Sequence, residues 1–287
     1  MRQLSFRAFT LLLACAAILG LGACAIHDIW QEEAADRLAS PAHMLKRLID
    51  TDSYRITTYQ RIHEKYGEAV VYIEGDAIKY AGKTVVSTNP TPDYPLALHL
   101  ATRDLSDNVI YMARPCQYEK VSGADHLCAK ETWTTNRFSL DAMESMNAVL
   151  DQLKKSNGFS GFHLVGYDGG GTVAALLAAK RKDVLSLRTV AGVLDTDTHN
   201  AYHTQPLLPP GTLNPRDFAK DLAHIPQHHF IGAWDEEVTP KLSENFRGAM
   251  GPSSCLRIST VDEVDHEGGW VNRWPSLLKE PVDCAAQ

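Results

Sequence analysis

From residue 54 onward the chain alternates short apolar runs with longer segments of helical period. Residues 54–60 alternate apolar and polar side chains as a half-buried strand does. Residues 69–73 (AVVYI), 108–113 (NVIYMA), 162–166, 187–193, 229–232 and 256–261 are further β-rich runs. Between them, residues 140–154, 170–180, 241–250 and 269–278 carry apolar positions at helical spacing. Strands alternating with helices predict an α/β domain with a mostly parallel central sheet covered by helices on both faces. This domain is expected over residues 54–287. Before it, residues 28–50 show a helical pattern (Ile29, Ala34, Leu38, then Met44, Leu45, Leu48) broken at Pro41. That predicts an N-terminal helical arm over 24–53 which, lacking a Gly/Ser linker, packs on the domain. Residues 195–222 have little periodicity and read as a short lid segment.

The first 23 residues change the picture. Arg2 and Arg7 precede an apolar run over 8–23, too short for a spanning helix and of the length of a signal-peptide core. Leu21-Gly22-Ala23-Cys24 is similar to a bacterial lipobox, which implies a signal peptide over 1–23 and lipidation of Cys24. Ala25 in place of Asp favours an outer-membrane lipoprotein facing the periplasm. Loss of residues 1–23 would move the formal charge from −7 to −9. An acidic chain of this kind gives no support for nucleic-acid binding. Four cysteines would remain, Cys116, Cys128, Cys255 and Cys284, and an oxidising compartment suggests two disulfides. Three pairings are open. Cys116 with Cys128 and Cys255 with Cys284 are favoured because each pins a segment locally.

The most informative segment is Gly166-Tyr167-Asp168-Gly169-Gly170, a turn between a strand and a helix. It resembles the G-x-S-x-G nucleophile elbow of the α/β-hydrolases, with Asp168 in the serine position. Three further pieces follow the order of that family. Tyr72-Ile73-Glu74-Gly75-Asp76 ends an early strand where the family builds its oxyanion hole, which implies that Gly75, Asp76 and the amide of Gly169 serve it. Asp235, with Glu236 as runner-up, lies where the triad acid is carried. His266 follows the last strand, where the catalytic histidine lies. Exported bacterial members of the family carry Y-I-E-G-D, A-R-P-C-Q-Y and G-Y-S-G-G-G, and this chain has Tyr72–Asp76, Ala113–Tyr118 and Gly166–Gly171.

The resemblance implies an α/β-hydrolase fold and a hydrolase of a small organic substrate working through an Asp168-His266-Asp235 triad, without metal or cofactor. Haloalkane dehalogenases and epoxide hydrolases share the fold and use an Asp nucleophile. The alternative is a catalytically impaired homologue acting as an envelope binding protein, with Asp168 simply satisfying the oxyanion-hole amides. A third option makes Asp168 a base for a bound water. Crowding of Glu74, Asp76 and Asp168 is expected to keep at least one protonated near neutral pH. His199 and His203 are spaced i, i+4, a metal-ligand spacing on a helix, but their stretch reads as a solvated lid and no metal is expected.

Overall fold

The structure, a computed structural model, describes residues 30–77, 79–81, 85–119 and 128–284. Cys24 and the apolar segment before it lie outside the described residues. Eight strands form one sheet in the order β1 (Leu45–Asp50), β2 (Arg55–Ile62), β6 (Asn108–Met112), β3 (Ala69–Ile73), β7 (Phe162–Tyr167), β8 (Val184–Val190), β9 (Gln227–Gly232) and β10 (Leu256–Val261). β1–β2 and β2–β6 are antiparallel, and the remaining pairs are parallel. A two-stranded hairpin of β4 (Tyr80–Ala81) and β5 (Val85–Val86) stands apart from it. The helices are α1 (residues 30–39), α2 (Leu96–Ala101), α3 (Leu140–Asn157), α4 (Gly169–Lys180), α5 (Thr196–Tyr202), α6 (Pro240–Met250) and α7 (Trp270–Leu277).

Alternation along the central strands divides the core in two. Val71, Ile73, Ile110, Met112 and Leu164 face one layer, packed with α3, α4 and α6. Tyr72, Val109, Tyr111 and Val165 face the other, with α1, α2 and the Trp270 and Trp274 rings of α7. Strands buried on both faces are what a parallel sheet under two helical layers requires. The C-terminal ends of β3, β7, β9 and β10 consequently open on one edge, where such sheets carry their sites. Among the described residues no helix is long and apolar enough to cross a membrane.

Three departures from the sequence expectation bear on where the domain begins and how the site is framed. The helical arm over 24–53 ends early: α1 stops near Ala39, a 3-10 turn covers Ser40–Ala42, and His43 turns left-handed at φ 57°. Residues 45–50 then form the antiparallel edge strand β1, paired with β2 from Leu45–Gln60 to Asp50–Arg55. The spacing of Met44, Leu45 and Leu48 imitates a helix, but backbone pairing with β2 outweighs it, and Leu45 and Leu48 stay exposed. α1 does pack on the domain, through buried Ala35 and Ala39 and a Tyr59 hydroxyl donating to Asp36 at 2.6 Å. Second, β8 starts three residues before its expected position, and Ala191, at φ 48°, ends it. Third, the lid segment holds α5 and a 3-10 turn over Pro215–Phe218. Cys116 pairs with Cys128 and Cys255 with Cys284.

Candidate active site

Asp168 stands between the end of β7 and the start of α4, at φ 49° and ψ −122°. An L-residue held there is strained, and the backbone around it explains why it stays. Its amide donates to Val190 O at 3.1 Å, and its carbonyl accepts from Gly171 N at 2.9 Å and Val193 N at 3.2 Å. The turn is possible because of two glycines. A Cβ on Gly166 would collide with the Gly170 carbonyl, and one on Gly170 with the Ile73 carbonyl. α4 therefore crosses the sheet close to β3 and presents the first-turn amides of Gly169 and Gly170, which lack intrahelical acceptors.

The loops after β9 and β10 bring the other two groups to Asp168. Asp235 is fully buried, and its Oδ1 accepts the amides of Glu237 at 2.9 Å and Val238 at 2.8 Å. Its two oxygens face His266 Nδ1 at 3.2 and 3.1 Å. His266 Nε2 then faces Asp168 Oδ1 at 3.7 Å, outside hydrogen-bond range but within ion-pair range. Burial favours a neutral ring, yet the Asp235 hydrogen bond and the Asp168 charge outweigh it and raise the His266 pKa to about 9. The second Asp168 oxygen, Oδ2, accepts the backbone amide of Asp76 at 3.1 Å. Glu236 is exposed and directs no contact here; Asp235 holds the position facing the histidine.

Solved structures share this architecture. Est1E from Butyrivibrio proteoclasticus superposes with a TM-score of 0.57 at 14% identity, over 82% of this chain and 96% of that one. The Pyrococcus furiosus esterase Pf2001 gives 0.57 at 13% identity, over 82% and 90%. A membrane phospholipase A described as a bacterial virulence factor gives 0.55 at 14% identity, over 96% of each chain. The chain has the α/β-hydrolase fold. No protein-family model and no curated protein sequence matches it.

The loop after β3 is held by charge. The Asp76 carboxylate is buried against Arg114 Nη1 at 3.1 Å, Arg137 Nε at 2.9 Å and Lys79 Nζ at 3.0 Å. Burial opposes its ionisation, but the three cations prevail and hold its pKa well below the carboxylate range. Both guanidinium groups also lie over the Phe138 ring, 5.0 and 4.9 Å from its centre. Glu74 behaves oppositely: burial pushes its pKa up to about 7, against the amides of Gly75 and Ala97 that donate to Oε1. The expected protonatable carboxylate is thus Glu74, and its cause is burial rather than crowding by like charges. Because the Gly75 amide is taken by Glu74, Gly75 touches the site through its missing side chain: a Cβ would press on Asp168 Cβ at 3.1 Å.

Sequence reasoning missed the roles of Glu74, Arg114, Gln117 and Arg137. Gln117 accepts from the Arg114 amide at 2.9 Å and donates to the Gly75 carbonyl at 3.0 Å, so the A-R-P-C-Q-Y strand end braces the loop after β3. The motif was legible, and the partner of Arg114 was not. Small cavities of about 10 Å³ flank the site, one lined by Asp76, Arg114 and Arg137, the other by Gly192, Asp195, His199 and Val238.

Proposed function

We propose that the chain is a hydrolase of a small organic substrate bearing an electrophilic saturated carbon, with Asp168 as nucleophile, His266 as base and Asp235 as its orienting acid. The observation that carries this reading is the unequal setting of the two Asp168 oxygens. Oδ2 is anchored on the Asp76 amide, while Oδ1 faces His266 Nε2 with no hydrogen bond between them. A carboxylate nucleophile needs this asymmetry. Oδ1 attacks the carbon, the leaving group departs with the bonding pair, and an alkyl ester forms on Asp168. Esterification removes the Asp168 charge that helps keep His266 protonated, so its pKa falls and the ring gives up its proton. An epoxide oxygen can take that proton as the ring opens.

Neutral His266 then removes a proton from water, and the hydroxyl adds to Asp168 Cγ. The developing oxyanion is Oδ2, already at the Asp76 amide and next to the first turn of α4, where Gly169 offers a second donor. Collapse breaks the Cγ–Oδ1 bond, the departing alkoxide takes the proton held by His266, and the Asp168 acid ionises to solvent, for a net addition of water across the broken bond. Acyl esters fit less well, since carboxylate attack on them yields a reactive anhydride. Lipidation at Cys24 and an envelope location belong to the same reading and rest on the lipobox-like sequence alone.

A second reading is favoured by one observation: the Asp76 amide is already satisfied by Asp168, as it would be in an impaired homologue that only binds. A turnover screen separates the two. Alkyl halides, epoxides and acyl esters are offered to the natural protein, Asp168→Asn, Asp168→Ser and His266→Ala. The hydrolase reading expects turnover of an alkyl halide or epoxide, lost by at least about 10³-fold in Asp168→Asn and His266→Ala. Silence of the natural protein on all panels, with esterase activity appearing in Asp168→Ser, would support the binding reading instead.

A further inference from the structure

We propose that His199, His203 and Glu237 form a binding site for a divalent cation of the zinc type, which ties the lid helix to the loop carrying Asp235. The lid stretch that reads as aperiodic in sequence is helical where it matters. α5 covers Thr196–Tyr202, and the His203 amide still donates to the His199 carbonyl at 3.1 Å, so the turn continues through His203. Spacing of i, i+4 then sets both imidazoles on one helix face, with ring centres 4.7 Å apart. Glu237 arrives from the loop after β9. One ligand atom from each of the three residues lies within 4.8 Å of the other two.

A second observation points to a ligand. His199 is only 7% exposed, and its Nδ1 is buried with no hydrogen-bond partner. A buried ring nitrogen left so carries an uncompensated desolvation cost unless something occupies it. The neighbouring acids do not take that role: Asp195 is committed to the α5 N-terminus, accepting from Thr198 N at 3.2 Å and Thr198 Oγ1 at 2.7 Å. Two imidazoles and one carboxylate suit zinc and its neighbours rather than calcium or magnesium, and three protein ligands leave a fourth position open. Ligand atoms on a tetrahedron with bonds of about 2.0 Å stand roughly 3.3 Å apart. The side chain of Glu237, 57% exposed, can supply the movement needed. The Glu237 amide donates to Asp235 Oδ1 at 2.9 Å, so a cation held here would brace the acid of the triad from the lid side.

The test is zinc uptake by the full chain, measured by equilibrium dialysis against zinc sulfate with metal analysis, and cobalt(II) substitution read by visible absorption. Uptake needs no turnover, so this outcome is independent of the reaction proposed above. One equivalent is expected in the natural protein. Glu237→Gln, at an exposed position, and His203→Ala, which also removes the contact of its Nε2 with the Glu237 carbonyl at 2.8 Å, should each weaken it by at least about ten-fold, the loss typical even for residues outside the ligand set. Asp197→Asn, exposed on the same helix, should bind as the natural protein does. Cobalt should give the strong absorption of four-coordinate geometry, lost in the same two variants. No uptake, or uptake unchanged in His203→Ala and Glu237→Gln, would overturn the site.

Discussion

Asp168 and His266 face each other across 3.7 Å, and their charges make folding stability depend on pH. His266 is held up at about pKa 9 against its burial by Asp235 and Asp168, with Glu237 adding to the effect. A histidine whose folded pKa exceeds the unfolded value near 6.5 contributes its stability fully below about pH 6.5. That contribution is lost as pH rises through 9. Denaturant unfolding should therefore show stability falling by on the order of 2–3 kcal/mol between about pH 6.5 and 9.5. His266→Gln should flatten that limb; an unchanged limb in the variant would contradict the assignment. The Glu74 pKa is also raised, here by burial, so stability again falls as pH rises. The native state holds its proton more tightly than the unfolded chain, and stability declines as pH climbs from about 4.5 through 7. Glu74→Gln keeps an oxygen for the Gly75 and Ala97 amides and cannot ionise. It should stabilise the protein at pH 8 and bring no gain at pH 5, a comparison read directly from thermal melts at the two pH values.

The elements around Asp168 owe their approach to absent side chains. A Cβ on Gly170 would meet the backbone carbonyls of Ile73 and Glu74, which cannot give way without moving β3. Gly170→Ala should cost several kcal/mol, on the order of 3 or more, by overpacking against backbone. Gly248→Ala, inside α6 with nothing within 4 Å of the new Cβ, should instead be neutral or stabilising by about 0.5–1 kcal/mol. Paired denaturation midpoints check both. The same elements show what the sequence makes legible. β10 is readable to the residue because its β-branched and apolar positions are bounded by turn residues. The elbow is readable because glycines at 166 and 170 have no other reason to flank a strand end. β1 is not, because Met44, Leu45 and Leu48 are spaced as a helix would space them and only pairing with β2 decides otherwise. α2 escapes notice because five of its six residues are buried, leaving no polar face to reveal a period. The charge cluster on Asp76 joins residues far apart along the chain, and no local pattern announces which acid Arg114 and Arg137 will meet.

Across the whole molecule the formal charge is −7, yet the loop after β3 concentrates three cations on one buried carboxylate. That surplus of positive charge lies behind the amide that anchors Asp168 Oδ2, where an oxyanion would form. The sheet brings strand ends from four separate segments to this one edge, and disulfides join Cys116 to Cys128 and Cys255 to Cys284. Asp235, His266 and Asp168 come together only in the complete fold, so the proposed reaction would be a property of the assembled domain. In that proposed reaction Asp168 forms a covalent ester whose carbonyl carbon is attacked by water. The most direct measurement is a single turnover in ¹⁸O-labelled water with enzyme in excess over a cleaved alkyl halide or epoxide, followed by mass analysis of the peptide containing Asp168 and of the product. Attack of water on the ester carbonyl should place the label in the Asp168 carboxylate and leave unlabelled oxygen in the alcohol product. Label appearing directly in the product, with Asp168 unlabelled, would contradict a covalent Asp168 intermediate.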